Sequence, residues 1–225
     1  VVVSPSEFMP RLFAENGRLL DSQGRITLDT PEALRALENY RETYSYSDRT
    51  IYDFWKNALE GFADGTAAMT VVFINYASHI LNSQMSRIAG KLGFAPVPGG
   101  KPLLGGGVIG IAQSCTCPAA ACKFLEWLYA DLVAPVFTML GGLSPCRSAY
   151  SNRDISEQYP WLSTARKSFP TAQRRSNSTY YQNFSELQLE TILAAHVQQA
   201  VLGVCSPEEA LKQAQEDCNR YFQPW

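Results

Sequence analysis

Phe184–Phe222, FSELQLETILAAHVQQAVLGVCSPEEALKQAQEDCNRYF, reads as two helices joined by a turn whose chemistry fixes both ends. Leu189, Ile192, Leu193, His196, Val197, Ala200 and Val201 recur at three- and four-residue steps, the spacing of one buried helix face. Gly203 closes that helix. The next opens with Ser206 as N-cap, Pro207 at the first helical position and Glu209 three residues after the cap, which satisfies orphan amide donors and suits the positive helix end.

Upstream, the chain alternates between the two periodicities of helix and strand. Ser4-Pro5-Ser6-Glu7 caps a short helix that stops at Asn16-Gly17. Asp21-Ser22-Gln23-Gly24 is a turn cluster before a short alternating strand, Arg25–Leu28, and Asp29-Thr30-Pro31-Glu32 caps a helix with Leu34, Leu37, Tyr40 and Tyr44 on one face. A helix over residues 50–61, a strand over 67–73, a helix over about 75–87 and a strand over 93–97 follow. Beyond a Pro/Gly-rich loop, Val108–Ala112 is apolar and β-branched, and residues 118–131 form an amphipathic helix with Phe124, Leu125 and Leu128 inward. Residues 163–182 are polar and aperiodic, a long surface connection. The order is mixed α/β.

Composition narrows the function. With 46% hydrophobic and 18% charged residues, the chain can bury a core of one large or two small domains. A net charge of −2 gives no basic field for a phosphate backbone, so no nucleic-acid partner is expected. No apolar run approaches the ~18 residues of a membrane span, and nothing reads as a signal peptide, so the targeting segment of an exported protein is expected upstream. Among the six cysteines, Cys205 and Cys218 are separated by three helical turns, roughly 18 to 20 Å, and should not pair. Cys115, Cys117 and Cys122 lack the matched second pair of a zinc site, and a bridge from one of them to Cys146 stays open.

Enzyme motifs are missing. Gly105-Gly106-Gly107 has neither the Lys-Ser/Thr of a phosphate loop nor G-x-G-x-x-G spacing, there is no G-x-S-x-G or H-E-x-x-H, and His79 and His196 sit in helices without a carboxylate signature nearby. Asp48 and Asp53 read as solvated helix-start residues rather than a glycosidase pair. No cofactor is expected.

Five segments in collinear order resemble one family. They are Phe62–Met69 (F-x-x-G-x-A-A-M), Pro96–Gly100 with Leu104–Ile111 (P-x-P-G-G and G-G-W-x-L-x-I), Ala120–Leu128 (A-x-x-F-x-x-W-L), Gly141–Ser148 (G-G-x-P-x-R-S), and Arg175-Ser176 with Tyr180, Phe184 and the closing helix pair. Together they resemble the extracellular solute-binding proteins of ABC sugar importers, the maltose-binding-protein-like group, over its C-terminal portion. The resemblance implies a periplasmic-binding-protein-like C-terminal lobe, a mixed sheet flanked by helices, from residues 1–104 and 161–225. Residues 105–160 would be an excursion belonging to an N-terminal lobe whose main part lies upstream. Such an excursion leaves apolar faces uncovered, so altered packing, mobility or self-association is expected.

The implied function is capture of a sugar or oligosaccharide in an interlobe cleft, closure around it, and delivery to the ABC permease membrane subunits. A ligand-sensing or scaffold lobe of a signalling protein with the same fold is the alternative. The location implied is extracytoplasmic, periplasmic or lipid-anchored. A sugar cleft needs aromatic faces and planar hydrogen-bonding side chains. The expected ligand-binding residues are Asn75 and Tyr76 after the 67–73 strand, Gly106 and Gly107 of the glycine loop, Arg147, Arg175 and Tyr180. Gly107 stands where many relatives carry a stacking tryptophan. Trp55 and Trp161 are aromatic candidates that read as partly buried.

Overall fold

The computed structural model describes residues 5–47, 55–151, 153–174 and 177–225, except the side chains of 55–57, 154, 156 and 158. The α-helices among them are α1 Pro5–Ala14, α2 Pro31–Tyr44, α3 Trp55–Ala63, α4 Ala77–Leu81, α5 Pro118–Leu128, α6 Ala134–Met139, α7 Ser148–Ser151, α8 Arg153–Gln158, α9 Pro160–Ser168, α10 Glu186–Val201 and α11 Pro207–Tyr221. They fall into two compact units, one of Val1–Ala58, Val97–Leu104 and Thr171–Trp225, the other of Leu59–Pro96 and Gly105–Pro170.

The first unit is built on the α10–α11 pair. Ser206 accepts the Glu209 N–H at 3.1 Å, which fixes the start of α11. Glu209 does not reciprocate, because its carboxylate takes the Gln213 amide instead (3.1 Å). At the end of α10, Gly203 adopts φ 77°, and the Val204 and Gly203 N–H groups donate to the Gln199 and Ala200 carbonyls at 2.9 and 3.0 Å. That double closure needs a left-handed residue, which glycine supplies without Cβ strain.

Leu189, Leu193, Val197, Ala200 and Val201 of α10 then bury against Ala210, Leu211, Ala214 and Cys218 of α11. Leu37 of α2, Phe8 and Leu12 of α1, and Phe222 complete the core at 0–1% exposure. Burial of this kind is the main favourable term in folding.

Residues 19–28 make a tight reversal. Leu20 bridges Ile26, and Asp21 and Thr27 donate their N–H groups to the Arg25 and Leu19 carbonyls (both 2.9 Å). Thr30 accepts the Ala33 N–H at 3.2 Å and caps α2. Ser4, the expected cap of α1, lies outside the described residues, as do Asp48, Asp53, Arg175 and Ser176. All six cysteines are free thiols, and burial pushes the Cys218 thiol up to about 12.

The second unit has a smaller core. Trp161, Leu162 and Ala165 of α9 bury with Ala77, Ala134, Ala149 and Tyr150. Trp161, at 2% exposure, is a core residue and not a stacking platform. This packing draws residues 161–170 into the second unit, and residues 59–96 group there too, so the compact units are cut at different residues from the expected lobes.

Several local expectations are corrected. Among the described residues there is no strand; the pairings are isolated bridges, Leu20 with Ile26, Leu103 with Gln173 and Tyr181 with Pro224. Segments 67–73, 93–97 and 108–112 form no ladder, and Met69 and Val108 are 87% and 101% exposed. A ladder requires a neighbour for its N–H and C=O groups, and these segments have none. The helix expected over 75–87 shortens to a 3-10 turn, Ile74–Tyr76, and α4, because Asn82 turns extended and its side chain takes the Gln84 N–H at 2.9 Å. Phe124 points outward, 56% exposed, beside Trp127 at 5.7 Å between ring centroids. The connection expected over 163–182 is helical through Ser168, with a 3-10 turn to Thr171.

Candidate functional site

Asn75 and Tyr76 sit on the 3-10 turn that launches α4. Phe73 is extended (φ −64°, ψ 142°), its carbonyl accepts the Tyr76 N–H at 3.0 Å, and Ala77 donates to the Ile74 carbonyl. Ala77 and Ile80, 5% and 3% exposed, fasten α4 inward. The turn therefore lifts Asn75 to the surface and leaves Tyr76 half-buried. The Asn75 amide makes no hydrogen bond among the described residues, so both its donor and acceptor ends face solvent.

Two glycine loops press on this turn. A Cβ at Gly105 would stand 3.2 Å from Cε1 of Phe73, and a Cβ at Gly141 would stand only 2.3 Å from Oγ of Ser78. Gly141 also has φ 96°, so glycine is required there on two counts. Gly106 and Gly107 are open, with nothing within 4 Å of their Cβ positions.

The 141 loop continues to Arg147. Below it, the Tyr150 hydroxyl donates to the Ser144 carbonyl (2.9 Å), the Cys146 N–H to Ser144 Oγ (3.2 Å), and the Ser144 N–H to Thr138 Oγ1 (3.4 Å). Burial raises the Tyr150 hydroxyl pKa, which keeps it a donor. Arg147 is exposed on this pinned loop, and its guanidinium has no partner among the described residues.

Asn75, Tyr76, Gly106, Gly107 and Arg147 thus share the second unit, and the backbones at Gly105 and Gly141 lie close to Phe73 and Ser78, which flank the Asn75–Tyr76 turn. Tyr180 belongs to the first unit. It is 37% exposed, set edge-on to Tyr181 at 5.0 Å, and lines a groove of about 510 Å³ with Arg25, Thr27 and Asn219. Nothing in sequence marked Arg25 or Asn219. They reach Tyr180 only through the fold, from more than a hundred residues away in one case and some forty in the other.

His196 was expected to lack a carboxylate, yet its Nε2 lies 2.9 Å from Asp217 Oδ2, linking α10 to α11. Among the described residues no three His, Cys, Asp or Glu side chains converge as metal ligands, and no helix is long and apolar enough to cross a membrane.

The second unit thus presents an exposed amide, a half-buried tyrosine, open glycines and an exposed guanidinium. Residues 4–164 match the family model for bacterial extracellular solute-binding protein, and the chain belongs to that family. The family binds solutes outside the cytoplasm and is not enzymatic. Among solved structures, maltose-bound MalE3 of T. maritima matches with a TM-score of 0.80 at 22% identity, covering 95% of this chain and 56% of that one. An ABC transporter solute-binding protein of Thermotoga lettingae bound with alpha-D-tagatose matches at 0.72 and 26% identity (95% and 55%). UgpB of Mycobacterium tuberculosis in complex with glycerophosphocholine matches at 0.73 and 19% identity (95% and 54%). The periplasmic-binding-protein-like fold is thereby shown, and the chain spans little more than half the length of these relatives.

Proposed function

We propose that the chain is the C-terminal part of the carbohydrate-binding component of an ABC importer, which takes up a sugar or oligosaccharide and delivers it to the permease membrane subunits. The observation that carries this reading is the Asn75–Tyr76 turn of a solute-binding family member, with an unpartnered amide beside an aromatic ring and between two close-packed glycine loops. A planar amide pairs with adjacent sugar hydroxyls, and the tyrosine ring accepts the C–H face of the pyranose. Gly106 and Gly107 leave space for the ring, and Arg147 forks hydrogen bonds to ligand oxygens. Arg175 and Tyr180 are proposed as further ligand contacts. The maltose and tagatose held by the solved relatives support this ligand class.

In this reading residues 1–104 and 161–225 belong to the C-terminal lobe, and 105–160 to an N-terminal lobe completed by upstream polypeptide. Segments 67–73, 93–97 and 108–112 join a mixed sheet once neighbouring strands are supplied. The exposed Met69, Val108, Leu132 and Leu140 support that reading, since monomeric proteins seldom leave so much apolar surface bare. The isolated chain self-associates through those residues.

Calorimetric titration of the chain with maltose, D-tagatose and a malto-oligosaccharide tests the proposal. Saturable binding to at least one, weakened about tenfold or more by Asn75→Ala, is the expected result. Failure of every sugar, or binding indifferent to Asn75, Tyr76 and Arg147 together, contradicts it.

A further inference from the structure

The Tyr180 groove of the first unit has a hydrogen-bonding character of its own. Asp21 makes three hydrogen bonds there. Its Oδ1 accepts the Gln23 and Arg25 N–H groups at 2.8 and 2.9 Å, and its Oδ2 accepts Arg25 Nε at 2.8 Å. Those bonds, the Arg25 backbone N–H first, hold the Asp21 carboxyl below its usual range. The pair fixes the guanidinium by its inner nitrogen. Both terminal Nη groups of Arg25 remain without partners among the described residues.

Across the groove a relay of amides sets Asn219. Gln215 Oε1 accepts the Leu28 N–H at 2.7 Å, so its Nε2 is the donor end, bonding the Ile26 carbonyl (3.1 Å) and Asn219 Oδ1 (2.9 Å). The Asn219 acceptor is thus occupied, and its Nδ2 is the end left open. Tyr180 is also positioned: Ser178 Oγ accepts the Tyr180 N–H at 3.1 Å and donates to the Gly24 carbonyl. The Tyr181 hydroxyl is withdrawn from binding, because it accepts the Ile26 N–H at 2.9 Å.

What remains is a pair of fixed donors, Arg25 Nη and Asn219 Nδ2, beside the part-exposed Tyr180 ring and Thr27. A carboxylate offers only acceptors, and guanidinium pairs with it in a two-pronged, charge-assisted geometry. The Tyr180 ring suits the C–H face of a pyranose attached to that carboxylate. From this donor set we propose that the groove is a subsite for a sugar acid, a pyranose bearing a carboxylate. It rests on the reading of Tyr180 as a sugar contact but uses none of the second unit's residues.

Nitrogen-15 NMR titrations of the chain with D-glucuronate, D-glucose and acetate test it. Glucuronate is expected to shift the Arg25 Nε, Asn219 Nδ2 and Tyr180 signals, with affinity about tenfold or more above those of glucose and acetate. Asn219→Asp keeps the acceptor for Gln215 and puts a carboxylate oxygen where the free donor stood, on an exposed helix position, so it should fold and lose the glucuronate response. Arg25→Lys should keep the charge, lose the fork and weaken binding severalfold. Equal affinity for glucuronate and glucose, an equal response to acetate, or an unaltered Asn219→Asp variant overturns the subsite. If maltose still shifts Asn75 and Tyr76 in that case, the wider sugar-binding proposal stands; if no sugar shifts either set, both fall.

Discussion

The two units solve the problem of burying apolar surface to different degrees. In the first, α1, the capped helices α2, α10 and α11, and a tight reversal put Phe8, Leu37, Leu193 and Phe222 at 0–1% exposure. In the second, seven buried residues form the core while Met69, Val108, Leu132 and Leu140 stand 79–101% exposed. The first unit has the properties of a scaffold. The second carries the Asn75–Tyr76 turn and the glycine loops, and it leaves the larger share of apolar side chains exposed.

Truncation should separate the units most sharply. Leu193→Ala removes a side chain with no exposure from the α10–α11 seam and should cost about 2–5 kcal/mol in urea denaturation. Leu140→Ala, at 79% exposure in the second unit, should change stability by no more than about 0.5 kcal/mol. Similar losses at both positions would erase the distinction. Next in size is Tyr181→Phe, which strands the Ile26 N–H inside the first unit and should cost about 1–3 kcal/mol by the same assay.

Gly107→Trp probes the openness of the second unit. With nothing within 4 Å of its Cβ position, the change should leave stability within about 0.5 kcal/mol of the parent. It should also raise saccharide affinity about 2- to 10-fold by adding a stacking ring. Loss of stability by more than that would mean the glycine loop is packed.

The smallest effects are electrostatic. Asp21 has its pKa lowered below the ordinary 3.8, so its contribution to stability is present above that value and is lost as pH falls through the lower folded value. Asp21→Asn should therefore flatten the acid limb of the stability curve below about pH 4. Glu7 runs the opposite way. Burial raises its pKa above the ordinary 4.5, outweighing the attraction of Arg11 and the Tyr40 hydrogen bond. Its contribution is present below 4.5 and is lost as pH rises through the raised folded value, so Glu7→Gln should be more stable than the parent at pH 7 and indifferent at pH 4. Denaturation curves across this range check both signs.

What could be read from sequence follows the same division. The Ser206 and Thr30 caps, the Gly203 closure and the Asp21–Gly24 reversal are local devices whose partners lie within a few residues, and each formed where its chemistry placed it. Strand pairing is not local. The apolar alternation of 67–73 and the β-branched run of 108–112 signal a strand only if a neighbour is present. Phe124 was misplaced because α5 offers two apolar sides and sequence does not say which one is covered.

The site shows the same limits. The turn at Asn75 and Tyr76 was legible, because one segment ends and a helix begins there. His196 with Asp217, and Arg25 with Asn219, are brought together by helix packing that no spacing rule encodes.

Hydrogen exchange of the 225-residue chain, with and without a saturating sugar found by titration, tests the central claim most directly. The account predicts slow exchange across α10 and α11 in both states, fast exchange over 67–73 and 108–112 without sugar, and new protection at 74–76 and 141–148 with it. Uniform protection of both units without sugar, or sugar-induced protection that bypasses the Asn75–Tyr76 turn, would contradict it.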